Sequence, residues 1–72
     1  MWNLEGMQVT GGYLQGTIEV TGRVTLSRVA YGGGVEHHVK LDEGFTAVNG
    51  RVSRDAGEVI IVGHKYITGV RD

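Results

Sequence analysis

Across residues 17–30 apolar and polar positions alternate, with Ile18, Val20, Val24, Leu26 and Ala30 set against Thr17, Glu19, Thr21, Arg23, Thr25 and Ser27. A period of two over this length predicts a long β-strand, or a bent strand pair, with one buried face. Gly22 falls in the buried phase, where a missing side chain permits a sharp bend or a close approach of another backbone. Long strands bent at such a glycine are how small barrels close.

The run Tyr31-Gly32-Gly33-Gly34-Val35 predicts a hairpin. A two-residue turn at Gly32-Gly33 sets Ala30 opposite Val35, Leu26 opposite Val39 and Val24 opposite Leu41, all apolar on one face. A one-residue slip mixes the faces, and Gly-Gly accepts the positive φ angles that such a turn needs. Val35, Val39 and Leu41 then alternate with Glu36, His38 and Lys40. Asp42-Glu43-Gly44 reads as a three-residue hairpin loop that pairs Leu41 with Phe45 and Val39 with Ala47.

Beyond Ala47 the apolar phase passes to Val48 and Val52, and Asn49-Gly50 is either a bulge or a tight turn. Asp55-Ala56-Gly57 is a further turn, leading into Glu58-Val59-Ile60-Ile61-Val62. That continuous apolar run predicts a strand buried on both faces, or one covered by a neighbouring subunit. Residues 63–67 read as one short helical turn, Thr68-Gly69-Val70 as a last short strand, and Met7-Gln8-Val9-Thr10 as the first, followed by a loop over 11–16. The expectation is one all-β domain over 1–72, a five-stranded barrel of antiparallel hairpins with one helical turn near the C-terminus.

Composition narrows the classes. With 72 residues the chain holds one domain of marginal stability, and with no cysteine it has no disulfide, thiolate metal site or thiol nucleophile. Good packing or self-association must stabilise it instead. Thirteen glycines without a proline sit between β-type runs, which means many tight turns. Seven basic and eight acidic residues are scattered singly for a net charge of −1, with no run of either sign, which weakens the case for nucleic acid, whose affinity comes from concentrated basic charge. The N-terminus lacks a basic region and an apolar run, and no stretch nears the ~18 apolar residues of a membrane span. The expected setting is soluble and cytoplasmic.

The order of elements resembles a Src-homology-3-like small barrel over most of the chain. The resemblance is architectural, because the aromatic and acidic positions of a proline-rich-peptide groove are not apparent. Ser27-Arg28-Val29-Ala30-Tyr31-Gly32-Gly33-Gly34-Val35 with Leu41-Asp42-Glu43 is also similar to short proteins of tailed phages and marine metagenomes, a group that implies no known activity.

For chemistry, His37-His38 stands out, but neighbours in a strand point to opposite faces and do not ligate one metal. The expected register puts Arg28 opposite His37 on one side and Asn49 on the other, a polar row on an apolar face. It reads either as a site at a barrel mouth or subunit interface, or as the place where that face reaches solvent. His38 is expected in solvent, and His64 with Lys65 in a loop. No metal spacing, phosphate loop, dinucleotide fingerprint or nucleophile motif occurs, so neither cofactor nor enzyme activity is expected. Tyr31 with Arg28, Lys40 and Arg51 is a modest candidate nucleic-acid patch. If Ile60 and Val62 face outward they make an apolar interface. The favoured function is therefore a structural or interaction module that forms a homo-oligomer. The alternative is a nucleic-acid-binding barrel, and a third reading is an enzyme whose site forms between subunits.

Overall fold

The computed structural model describes residues 2–47 and 50–72. Its strands are β1 (Gln8–Tyr13), β2 (Ile18–Val29), β3 (Val35–Leu41), β4 (Phe45–Thr46), β5 (Ser53–Arg54), β6 (Val59–Gly63) and β7 (Ile67–Arg71), with a 3-10 turn over His64–Tyr66. Five strands form one antiparallel sheet in the order β6-β3-β2-β1-β7, and β4 with β5 forms a separate two-stranded sheet. The all-β reading and the late helical turn are both present.

β6 and β7 lie at opposite edges of the large sheet and yet are joined by three residues. So short a link requires the sheet to curl, bringing the end of β6 close to the start of β7. The curl is visible at Gly11 of β1, where an added Cβ would lie 3.0 Å from the Tyr66 carbonyl oxygen and 3.3 Å from Val62 Cγ1. Inside it sit Leu4, Val9, Val20, Val24, Val39, Leu41, Ile60 and Val62, with Met7, Tyr13, Ile18, Phe45, Tyr66 and Ile67 packed against them. The N-terminal segment lies along β2: Gly6 N–H donates to the Val24 carbonyl, and Val24 N–H to that of Met7, each at 2.9 Å.

At Gly22 the backbone of β2 passes close against β3. It pairs with Leu41, and a Cβ there would stand 2.2 Å from the Lys40 carbonyl oxygen and 2.8 Å from Val39 Cγ1. The role expected of this glycine, close backbone approach in the buried phase, is what it performs.

The register of the β2–β3 hairpin differs from the expected one by two single-residue steps. The first is at the turn, where Val29 pairs with Val35 and the loop is Tyr31-Gly32-Gly33, with Gly33 N–H donating to the Ala30 carbonyl at 2.9 Å. Gly32 and Gly33 carry φ of 96° and 94°, so both glycines take the positive angles foreseen for them. The second step is a bulge: Val24 pairs with Val39 but Leu26 with His38, leaving Thr25 as an extra residue. One extra residue inverts the phase of everything beyond it. Val20, Gly22 and Val24 therefore face inward, and then Ser27 does, while Leu26 is 40% exposed. The expected inward positions of Leu26 and Arg28 are thereby overturned, while Ala30, just past the end of β2, is half-buried.

Two further expectations are corrected. Phe45 and Thr46 pair with Arg54 and Ser53, not with β3, because the far side of β3 is occupied by β6 from Glu36↔Gly63 to Lys40↔Val59. In β6, Ile60 and Val62 point into the core at 3% and 1% exposure, and Val59 and Ile61 are the outward residues. The Asp55-Ala56-Gly57 turn forms as read, with Glu58 N–H donating to the Asp55 carbonyl. Asn49 lies outside the described residues, so neither its turn nor its place in the polar row has a counterpart here.

Candidate functional site

Two features of the sheet have chemistry that folding alone does not require. One is a chain of polar groups through the interior. The other is an apolar stripe across the outside of β2, β3 and β6.

The interior chain follows from the turn and the bulge together. The turn that sets Val29 against Val35 puts Ser27 rather than Arg28 opposite His37, the bulge at Thr25 places Ser27 on the same inner face as Val24, and Val62 is on the other side of His37. Ser27 is 6% exposed and His37 is fully buried. Ser27 Oγ accepts the Leu4 backbone N–H at 3.0 Å and lies 2.7 Å from His37 Nδ1. A buried hydroxyl hydrogen needs an acceptor, so Ser27 O–H donates to Nδ1 and the ring proton of neutral His37 sits on Nε2. That Nε2–H donates in turn to His64 Nδ1 at 2.8 Å. The two rings stand 5.0 Å apart between centroids, tilted by 51°. His64 belongs to the 3-10 turn and is exposed, so the chain runs from the N-terminal segment through the core to the surface. Glu5 secures the inner end by accepting the Ser27 backbone N–H at 2.9 Å.

Burial holds His37 below the ordinary imidazole value of 6.5, and the nearby charge that His64 can carry pushes it the same way. His37 is therefore a neutral ring at pH 7. Ser27 resembles a nucleophile beside a base only in name, since its oxygen is enclosed and already accepts the Leu4 amide. Among the described residues no group of three or more His, Asp or Glu side chains is placed to hold a metal ion.

The outer stripe is built from register. His38 on β3 stands between Leu26 of β2 and Ile61 of β6, and Lys40 stands beside Val59. Leu26, Val59 and Ile61 are 40%, 50% and 47% exposed. His38 is not the solvated residue expected: its Nε2 is enclosed and, among the described residues, has no hydrogen-bond partner. β6 is also the last strand in the sheet order, so it has one edge without a strand beside it.

Of the residues singled out from sequence, Arg28 and His37 are on opposite faces. Arg28 lies outside, ion-paired with Glu36 at 2.8 Å. Tyr31 is fully exposed at the tip of the β2–β3 loop, and Lys40 is exposed on the outer face of β3. Ser27 and His64 were missed as partners of His37 because a bulge and a link between sheet edges are needed to bring them together. A signal for Val59 and Ile61 was present in the unbroken apolar run of β6, which showed two apolar faces but not which one is outside. Comparison with protein-family models, with curated proteins and with solved structures finds no match to this chain.

Proposed function

We propose that this chain is a small interaction module of Src-homology-3-like barrel architecture that self-associates through the outer face and free edge of β6. The observation that carries the reading is the half-exposed pair Val59 and Ile61 on an edge strand, beside Leu26 and the enclosed, unpartnered Nε2 of His38. Exposed apolar side chains on an edge strand favour strand addition, and two copies related by a twofold axis present the same strand to each other. Such a pairing continues the sheet and brings both copies of Val59 and Ile61 onto one covered face. The small size of the domain and its lack of disulfides favour the same outcome. Support for the barrel architecture comes from the five antiparallel strands whose edges are linked by a single 3-10 turn.

Light scattering on a sizing column is expected to give a fixed multiple of the 7.8 kDa chain. Ile61→Asp, at an outward position, should shift that species to monomer without loss of the β-sheet circular dichroism. A wild-type chain that stays monomeric to about millimolar concentration would remove the proposal, since no useful self-association is weaker than that. The nucleic-acid reading is favoured by the exposed ring of Tyr31, but Arg28 beside it is engaged by Glu36, and we place it second.

A further inference from the structure

His37 and His64 meet where the sheet edges are joined, one ring on β3 and the other on the 3-10 turn between β6 and β7. A hydrogen bond between two ring nitrogens holds one proton, so one of the two must offer a lone pair. The bond exists when the pair is neutral or carries one charge. It is lost when both rings are imidazolium, because two N–H groups then face each other. We propose that Ser27, His37 and His64 form an acid-operated clasp: it holds the 3-10 turn against β3 until the pair takes up a second proton, and then releases the joint between β6 and β7.

The geometry gives the two protons different places. A first proton taken at His64 Nδ1 leaves the bond in place by turning it round: His64 Nδ1–H then donates to His37 Nε2, and the His37 proton moves to Nδ1, where Ser27 Oγ accepts it. A second charge must go on His37, which is fully buried. Burial and the His64 charge both hold His37 below 6.5 in the closed state. In the released state the ring is hydrated and binds its proton more readily. The open form thus binds more protons than the closed one, and the clasp is favoured above about pH 6.5 and weakens as pH falls from there through the lowered value of His37. Charged and titratable groups on the surrounding elements are Glu5 on the N-terminal segment, Arg28 and Glu36 as an ion pair on β2 and β3, His38 on the opposite face of β3, and Lys65 and Tyr66 on the turn itself, with Tyr13 of β1, Glu19 and Arg23 of β2 and Lys40 of β3 further along their strands. β6 has no ionisable side chain, and β7 has only Arg71 at its far end.

The test is amide exchange at Ile67, whose N–H closes the turn on the His64 carbonyl, measured against Val39 in the sheet from pH 8 to 4.5. Protection of Ile67 relative to Val39 is expected to fall about tenfold for each pH unit by which His37 is held below a free imidazole. His64→Asn supplies a side-chain oxygen that accepts His37 Nε2–H whether that ring is neutral or charged, and it removes the charge on the turn, so its Ile67 protection should fall less than that of the wild type over the same range. A level wild-type ratio, or the same fall in His64→Asn, overturns the clasp. Should that variant fail to fold, nitrogen-15 shifts of the wild-type rings decide. His37 is expected to carry its proton on Nε2 at pH 8 and to carry protons on both ring nitrogens as Ile67 exchange rises. Titration of His37 with no change at Ile67 overturns the proposal equally.

Discussion

Gly22→Ala is expected to cost the domain about 3 kcal/mol or more, a large share of what holds it folded. Overpacking a core by one methyl group typically costs about 1–3 kcal/mol when flexible side chains can yield. Here the obstruction is main chain: the new Cβ would meet the Lys40 carbonyl oxygen at 2.2 Å and its carbon at 2.9 Å. Relief requires β2 and β3 to separate at the pair Gly22↔Leu41, which also loosens Val24 and Val39 at the centre of the core. A chain of this length has a total stability of only about 4–10 kcal/mol, so the loss is a large share of it. Gly34→Ala is the control, because nothing lies within 4 Å of a Cβ there and its φ is not positive. Urea unfolding followed by circular dichroism should place Gly34→Ala within about 0.5 kcal/mol of wild type. If Gly22→Ala unfolds beside it, the close strand approach is wrong.

Ser27→Ala is expected to lower stability by about 2–4 kcal/mol, since it leaves two buried groups without partners at about 1–3 kcal/mol each. The Leu4 N–H loses its acceptor and His37 Nδ1 loses its donor. Neither group recovers water easily, with Leu4 at 8% and His37 at 0% exposure. Ser53→Ala, at an exposed serine of β5, should change stability by less than about 0.5 kcal/mol. Equal midpoints for the two variants would show that the interior chain does not hold the N-terminal segment. Recovery in Ser27→Thr, which keeps the oxygen, would separate the hydrogen bonds from simple packing.

These two positions mark how far the residues alone could be read. Gly22 was legible because it is a gap in an otherwise regular buried phase, and a strand tolerates such a gap only where something must come close. The Asp55-Ala56-Gly57 turn and the 3-10 turn were legible for a related reason, their signals being local. Ser27 was not, because a serine in the polar phase of an alternating strand looks like a solvent position until a bulge inverts that phase. Thr25, the residue that does so, is an ordinary strand residue and announces nothing. The partner of β4 was illegible for a different cause: Leu41-Asp42-Glu43-Gly44-Phe45 is compatible with a hairpin, but β6, some twenty residues later in the chain, takes the edge of β3 first. Long-range pairing is decided by competition between strands, which local turn chemistry does not record. The candidate site depends on both of these hidden events, and so only His37 and the apolar run of β6 pointed toward it.

The bulge at Thr25 also sets which changes of length the chain can survive. Loss of Thr25 would iron the bulge out: Val24 stays against Val39, Leu26 keeps its outward place against His38, and Ser27 stays inward against His37. The acceptor of the Leu4 amide and the partner of His37 would both remain where they are. The extra residue is thus the one position of the long strand whose removal leaves the phase on either side unchanged. Among descendants of this chain, a β2 shorter by one residue at Thr25 should keep the interior chain of polar groups intact.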